Sequence, residues 1–208
     1  MKIISIIYAV VILLVLSVAA DAQESSSGDY VLLSASEQST LKIEGTSTLH
    51  SWDVVAREFS VSFSIPEMWL QEVDNWNGSD VNELEVIVPI EHMDGGRSRM
   101  NRDLKEALRS DENPEIRFIW SEMEFESGDD NGKIANVKGS LSVAGVTRDI
   151  EISADMKLVD QSRLESRGSV EINMKDYDIN PPRALLGTIR TGEIIEIIFD
   201  MELGRANN

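Results

Sequence analysis

Residues 133–156 read KIANVKGSLSVAGVTRDIEISADM, and most of the architecture can be inferred from them. Every second residue before the bend at Gly145 is apolar or small: Ala135, Val137, Gly139, Leu141 and Val143. The same holds after the bend, for Ile150, Ile152, Ala154 and Met156. This alternation predicts a β-hairpin with one apolar and one polar face. The apolar face must be buried, either against a second sheet or by curling of its own sheet.

Similar alternation predicts further strands along the chain. They cover residues 30–33, 40–43, 52–65, 83–90, 115–125 and 163–175, and a last strand starts at 192–193. A phase slip between Trp120 and Met123 predicts a β-bulge. The spacing of Met100, Leu104 and Leu108 predicts a helix over 98–110, and residues 67–80 are predicted to form a short helix over an open end of the sheet. The fold class is therefore mainly β, with about eight mostly antiparallel strands and one or two short helices.

The N-terminus has the composition of a secretory signal peptide. Lys2 precedes an apolar run over residues 3–18, and Ala20-Asp21-Ala22 provides a small-x-small cleavage site. An uncleaved membrane anchor is the alternative, for which the run is slightly short. We therefore divide the chain into a signal peptide (1–22), a polar lead with a first strand piece (23–38) and a β domain (39–205). The expected location is periplasmic or secreted, with no membrane span after cleavage.

Composition excludes several classes of function. The chain has no cysteine, and so no disulfide framework, thiol nucleophile or Cys-ligated metal site. Its formal net charge of −18 argues against nucleic acid or an anionic membrane surface as the main partner, because such binding relies on clustered Lys and Arg. An acidic coat of this kind is typical of a solvated surface.

No motif indicates an enzyme. His50 and His92 match no metal-site spacing, and we expect no metal site. No G-x-S-x-G sequence provides a nucleophile elbow, so no catalytic residue is assigned; a hydrolase that uses His50 is the weakest alternative. Arg97, Arg99 and Arg102 are interpreted as solvated charges at the start of the helix, with an anionic lipid head group as the alternative partner.

Four strings of this sequence together resemble the YceI-like family. They are GTSTLHSW (45–52), RDLKEALRSDENPEIRF (102–118), GSLSVAGVTRDIEI (139–152) and YDINPPRALLGTIRTGEIIEI (177–197). They occur in the expected order and cover most of the chain after residue 22. The resemblance implies an extended, lipocalin-like antiparallel β-barrel that takes up a long isoprenoid or similar lipid chain. It also implies export to the bacterial periplasm.

The pattern alone leaves open whether the inward side chains fill a core or line a cavity, because about eight strands allow either. The resemblance favours a cavity that binds an apolar lipid. The stripe of Met100, Leu104 and Leu108 is most simply the packing face of the helix, and we hypothesise that the helix lies across the barrel mouth and caps the cavity. The expected lipid-binding residues are Trp52, Val61, Phe63, Ile65, Val86, Val88, Met100, Leu104, Phe118, Trp120, Leu141, Val143, Ile150, Ile152, Val170, Ile172, Ile197 and Phe199. We expect no cofactor other than the bound isoprenoid-type lipid, and a homodimer stays open. The alternative function is an envelope or stress-response interaction protein with a filled barrel and an acidic binding surface.

Overall fold

A computed structural model describes residues 29–128, 132–184 and 189–206. The strands are β1 (Tyr30–Ala35), β2 (Thr40–Ser47), β3 (Ser51–Ala56), β4 (Ser60–Pro66), β5 (Glu83–Pro89), β6 (Met93–Asp94), β7 (Glu115–Ser127), β8 (Gly132–Val143), β9 (Val146–Asp160), β10 (Arg163–Asn173), β11 (Arg183–Ala184) and β12 (Ile189–Arg205), and helix α1 spans Ser98–Ala107. The predicted signal peptide lies outside the described residues. Within the described ranges, no helix has the length and apolar character needed to cross a membrane.

Eight of these strands close into an antiparallel β-barrel. Their order is β1-β4-β5-β7-β8-β9-β10-β12, and β12 returns to β1 through pairs such as Leu33–Arg205 and Ala35–Leu203. The predicted mainly β barrel is therefore confirmed. Farther toward its N-terminus, β12 pairs instead with β2, and β3 and β6 extend the sheet beside β2. These three strands lengthen the wall at one end of the barrel.

The hairpin predicted over 133–156 is confirmed and forms the longest continuous part of the wall. β8 and β9 pair without interruption from Gly132–Lys157 to Val143–Val146. Ala144 and Gly145 both have positive φ angles, 52° and 82°, as a two-residue type I′ turn requires. The predicted bulge is also present, as a shift in β7–β8 register between Trp120 and Glu122.

Three local predictions were wrong. Residues 52–65 form two strands, because β3 pairs with β2 whereas β4 pairs with β1, so the chain changes neighbours between Ala56 and Ser60. Helix α1 ends at Ala107, since Arg109 has a positive φ of 53°. In place of a helix over 67–80, the chain forms three short 3₁₀ turns: Glu67–Leu70, Val73–Asn75 and Gly78–Asp80.

These turns form the closed end of the barrel, where an aromatic cluster fills the opening. Trp69 stacks on Trp76 with ring centroids 5.8 Å apart, and Phe63 and Phe125 meet Trp69 edge-on. The Trp76 indole donates a hydrogen bond to the Trp69 carbonyl oxygen at 2.8 Å. In an α-helix, that carbonyl oxygen would accept from the backbone amide four residues later. Side-chain packing therefore overrides the helical spacing of this segment.

Candidate functional site

An inner cavity of about 180 Å³ lies within the barrel, and its walls are almost entirely apolar. Eleven of the predicted residues line it: Val61, Phe63, Val86, Val88, Phe118, Leu141, Ile150, Ile152, Val170, Ile197 and Phe199. The alternating strands place these side chains inward, on the face predicted to be apolar. Ser166 is the one polar residue among the lining residues that the structure describes.

Sequence reasoning missed fourteen other residues around the inner cavity. They are Leu41, Ile43, Ala56, Leu84, Met93, Ile116, Met123, Ala135, Val137, Ala154, Met156, Ser166, Met201 and Leu203. Most belong to the same alternating rows as the predicted residues, so extending each row to its full length would have found them. Met93 carries no such signal, because β6 is only two residues long.

A larger outer cavity of about 470 Å³ opens at the other end of the barrel, which we call the mouth. Helix α1, the β2–β3 turn and the segment 174–182 surround it. The predicted residues Trp52, Met100, Leu104, Val143 and Ile172 line this cavity. The two cavities share five lining residues: Ile43, Met93, Ile116, Leu141 and Ile197. These residues come from β2, β6, β7, β8 and β12, and the two cavities therefore adjoin each other inside the barrel.

Two of the predicted residues line neither cavity. Ile65 is fully buried beside the turns at the closed end, and Trp120 is half-buried at the register shift of β7. The structure brings the other sixteen predicted residues together around the two cavities. Their contact with a lipid stays a prediction.

Polar side chains are concentrated in the outer cavity. Its lining includes Ser47, His50, Ser51, Asp53, Arg97, Arg99, Asp103 and Thr191. Trp52 belongs to the same lining: its indole lies over Gly45 and donates a hydrogen bond to the Thr46 carbonyl oxygen at 3.1 Å. From the mouth to the inner cavity, the lining therefore changes from a mixture of polar and apolar side chains to almost entirely apolar ones.

Asp94 fixes the start of helix α1 to the barrel wall. Its carboxylate accepts hydrogen bonds from the Gly96 amide at 2.8 Å and the Asn101 side chain at 3.1 Å, and it pairs with Arg57 at 3.0 Å. These bonds, the Gly96 amide first, lower the pKa of Asp94 from 3.8 to about 2. The Asn101 side-chain oxygen also accepts a hydrogen bond from the Gly95 amide at 2.7 Å. The helix that lines the mouth is therefore anchored at its N-terminal end.

Tyr177 lies in the wall of the outer cavity and is almost fully buried. Its hydroxyl forms no hydrogen bond with any residue that the structure describes. Burial raises the pKa of Tyr177, and the nearby Asp176 carboxylate acts in the same direction. The phenol is therefore neutral at ordinary pH and contributes mainly apolar surface to the wall.

The histidines are held in structural contacts. The Ser47 hydroxyl lies 3.1 Å from His50 Nδ1, but it also donates to the His50 carbonyl oxygen at 2.7 Å and accepts from the Leu49 and His50 amides. That hydroxyl closes the β2–β3 turn. His92 lies 3.4 Å from each of Glu58 and Glu91 on the surface. In the part of the chain that the structure describes, no group of three or more His, Asp or Glu residues is arranged to hold a metal ion.

Comparison with known proteins identifies the fold. The model of the YceI-like domain family matches residues 36–203. A search of curated proteins found no match. Among solved structures, a polyisoprenoid binding domain from Saccharophagus degradans, implicated in plant cell wall breakdown, is similar with a TM-score of 0.62 at 12% identity, covering 85% of this chain and 98% of that one.

Two further solved structures share the fold. BcnA of Burkholderia cenocepacia matches with a TM-score of 0.60 at 11% identity, over 79% of this chain and 95% of that one. The YCEI protein of Campylobacter jejuni matches with a TM-score of 0.55 at 15% identity, over 74% of this chain and 85% of that one. At these identities the similarity shows a common fold.

Proposed function

Because this chain belongs to the YceI-like domain family, we propose that it is an exported lipid-binding protein. It holds a polyisoprenoid or similar long apolar chain inside its barrel, and it works in the periplasm or outside the cell after removal of residues 1–22. The polyisoprenoid-binding domain with the same fold supports this class of ligand.

The apolar inner cavity is the observation that carries the proposal. Of the 25 lining residues that the structure describes, 24 are apolar, and none of these 25 has a charged side chain. Burial of each CH₂ group contributes roughly 0.8 kcal/mol, so one isoprene unit contributes about 3–4 kcal/mol before costs. A few units offset the loss of translational and rotational freedom on binding. A long hydrocarbon chain therefore binds without a charged partner.

The outer cavity accommodates the polar end of the same lipid. Within the described ranges, the charged residues of the two linings all belong to the outer cavity, at the mouth. An amphiphile with its tail in the inner cavity then keeps its polar end near Arg97, Arg99 and Asp103. Binding is passive: the protein removes an apolar chain from water and performs no chemistry on it.

The test is uptake of a radiolabelled polyprenol by delipidated protein, with the bound lipid separated by gel filtration. Ala154→Leu narrows the inner cavity, because Ala154 is buried in its wall. The matched control is Glu151→Leu, an exposed position on the outer face of the same strand. We expect the wild type and Glu151→Leu to retain lipid and Ala154→Leu to retain several-fold less. Equal retention by all three folded proteins, or none by the wild type, would overturn the proposal.

A further inference from the structure

The segment 97–109 at the mouth and the segment 67–83 at the closed end carry opposite charge. Residues 97–109, which include helix α1 at the mouth, have five basic and two acidic side chains, a formal charge of +3. Residues 67–83, at the closed end, have five acidic side chains and no basic one. In a chain with an overall charge of −18, residues 97–109 are therefore a basic segment, and Asp111 and Glu112 directly follow it. Arg97, Arg99 and Arg102 are all exposed there.

The mouth also exposes apolar side chains. Leu49 is 70% exposed, more than any other large apolar residue that the structure describes. It lies at the tip of the β2–β3 turn, between Ser47 and His50, which both line the outer cavity. Ile194 is 47% exposed and precedes Ile195, a further residue of that lining. Apolar and basic groups therefore surround the same opening.

We propose that the mouth docks on an anionic lipid bilayer, with Leu49 entering the head-group region and the basic residues of 97–109 against lipid phosphates. The proposal rests on the proposed function, because a carried lipid has to enter and leave the barrel. A polyisoprenoid that crossed water would expose its whole chain. Direct contact between mouth and bilayer lets the chain slide between two apolar environments.

The distribution of charge favours an anionic surface and sets the orientation. β8 runs the length of the barrel with 12 residues at about 3.3 Å each, so the acidic closed end lies roughly 30–40 Å from the mouth. The Debye length at physiological salt is about 8 Å. The acidic end is therefore screened from the bilayer while the basic residues at the mouth lie within reach of it. Each cation near such a surface strengthens binding about fivefold.

A second exposed apolar patch provides the control. Tyr30, Leu32 and Met68 are exposed at the closed end, where Glu67 forms an ion pair with Arg205 and the segment 67–83 contains four further acidic residues. An anionic bilayer repels that end of the molecule. Leu32→Ser therefore removes an exposed leucine side chain, as Leu49→Ser does, but from the closed end, which is not expected to contact the bilayer.

The experiment is co-sedimentation of the full mature chain with phosphatidylcholine vesicles that contain phosphatidylglycerol, at physiological salt. We expect Leu49→Ser to weaken binding about tenfold, and the double variant Arg102→Gln, Lys105→Gln about 25-fold. Both of these cations are exposed, and neither belongs to the lining of the outer cavity. Leu32→Ser and Lys157→Gln, both at the closed end, are expected to bind like the wild type. Vesicles of phosphatidylcholine alone should bind all the proteins weakly.

Lipid uptake measured in parallel separates this proposal from the proposed function. Mouth variants that bind vesicles poorly but retain polyprenol loaded from detergent support docking. A wild type that retains polyprenol yet does not sediment overturns docking and leaves lipid binding intact. Equal losses in the closed-end variants also overturn docking at the mouth. Sedimentation without any polyprenol uptake supports docking and contradicts the proposed function alone.

Discussion

The phenyl ring of Phe199 lies directly against Gly168 on the neighbouring strand, and a Cβ atom at residue 168 would lie only 2.7 Å from its Cζ. Gly139 has the same relationship to Phe118, with a distance of 2.5 Å. Both phenylalanines line the inner cavity. Two inward glycines therefore let aromatic rings lie along the wall, and this leaves space in the middle of the barrel.

Gly168→Ala should destabilise the protein and reduce its lipid capacity. The new methyl group meets both the Phe199 ring and the Ser153 carbonyl oxygen, which lies 2.6 Å away. Overpacking of this kind costs about 1–3 kcal/mol of unfolding free energy, to be measured by urea denaturation, and polyprenol retention should fall with it. Gly204→Ala is the control, because no heavy atom lies within 4 Å of its added Cβ. A Gly168→Ala protein as stable as the control would contradict the packing described.

Trp76→Ala should open the closed end of the barrel. Trp76 is buried, stacks on Trp69 and donates a hydrogen bond to its carbonyl oxygen. Truncation of a buried tryptophan lowers the unfolding free energy by about 3–5 kcal/mol. Met68→Ala, at a largely exposed neighbour, should change it by no more than about 0.5 kcal/mol. If the two losses measured by urea denaturation are similar, the aromatic cluster does not hold this end together.

Asp94→Asn tests the anchor of helix α1 through its dependence on pH. The folded protein holds the pKa of Asp94 near 2, below its ordinary value of 3.8, so the ionised carboxylate stabilises the fold above about pH 4. That contribution is lost as the pH falls from about 4 through 2. We therefore expect the variant to be less stable than the wild type at pH 7, and the difference between their urea midpoints to shrink toward pH 2.

The control for this anchor is Asp149→Asn, at an exposed position on β9. Its urea midpoint at pH 7 should lie close to that of the wild type. An Asp94→Asn protein whose deficit stays constant down to pH 2 would show that the carboxylate charge is not what anchors the helix.

A tether across the mouth should slow lipid exchange. The Arg109 guanidinium lies 3.4 Å from the Asp178 carbonyl oxygen, so these positions join the end of helix α1 to the segment 174–182. The chain has no cysteine, and Arg109→Cys with Asp178→Cys therefore accepts one cleavable bismaleimide bridge. We expect polyprenol release to acceptor vesicles to slow at least tenfold when bridged and to recover on cleavage. Unchanged release would show that lipid leaves without movement of this helix.

Most of the barrel could be predicted from alternation alone. The β8–β9 hairpin, the bulge after Trp120 and the inward rows of β9 and β10 follow from side chains that point to opposite faces in turn. Strand boundaries that depend on pairing could not be predicted this way. Within residues 52–65 the buried row changes phase, from Val54 and Ala56 to Val61 and Phe63. Only the pairing, first with β2 and then with β1, shows that this change is a break between two strands and not a bulge in one.

The candidate site was predicted less completely. The apolar rows indicate which side chains point inward, but whether those side chains meet or leave a cavity depends on how wide the barrel closes and on residues such as Gly139 and Gly168. Trp69 and Trp76 follow a helical spacing, yet their mutual stacking holds the segment in 3₁₀ turns. The cavity and the 3₁₀ turns both depend on packing between residues far apart in sequence, which local spacing does not predict.

The central claim is that the barrel interior holds a lipid chain. Native mass spectrometry of the protein purified from the cells that produce it naturally measures this directly. We predict one population heavier than the polypeptide by a single lipid mass, which organic extraction removes and added polyprenol restores. A bare polypeptide mass before extraction and after addition of polyprenol would contradict the claim.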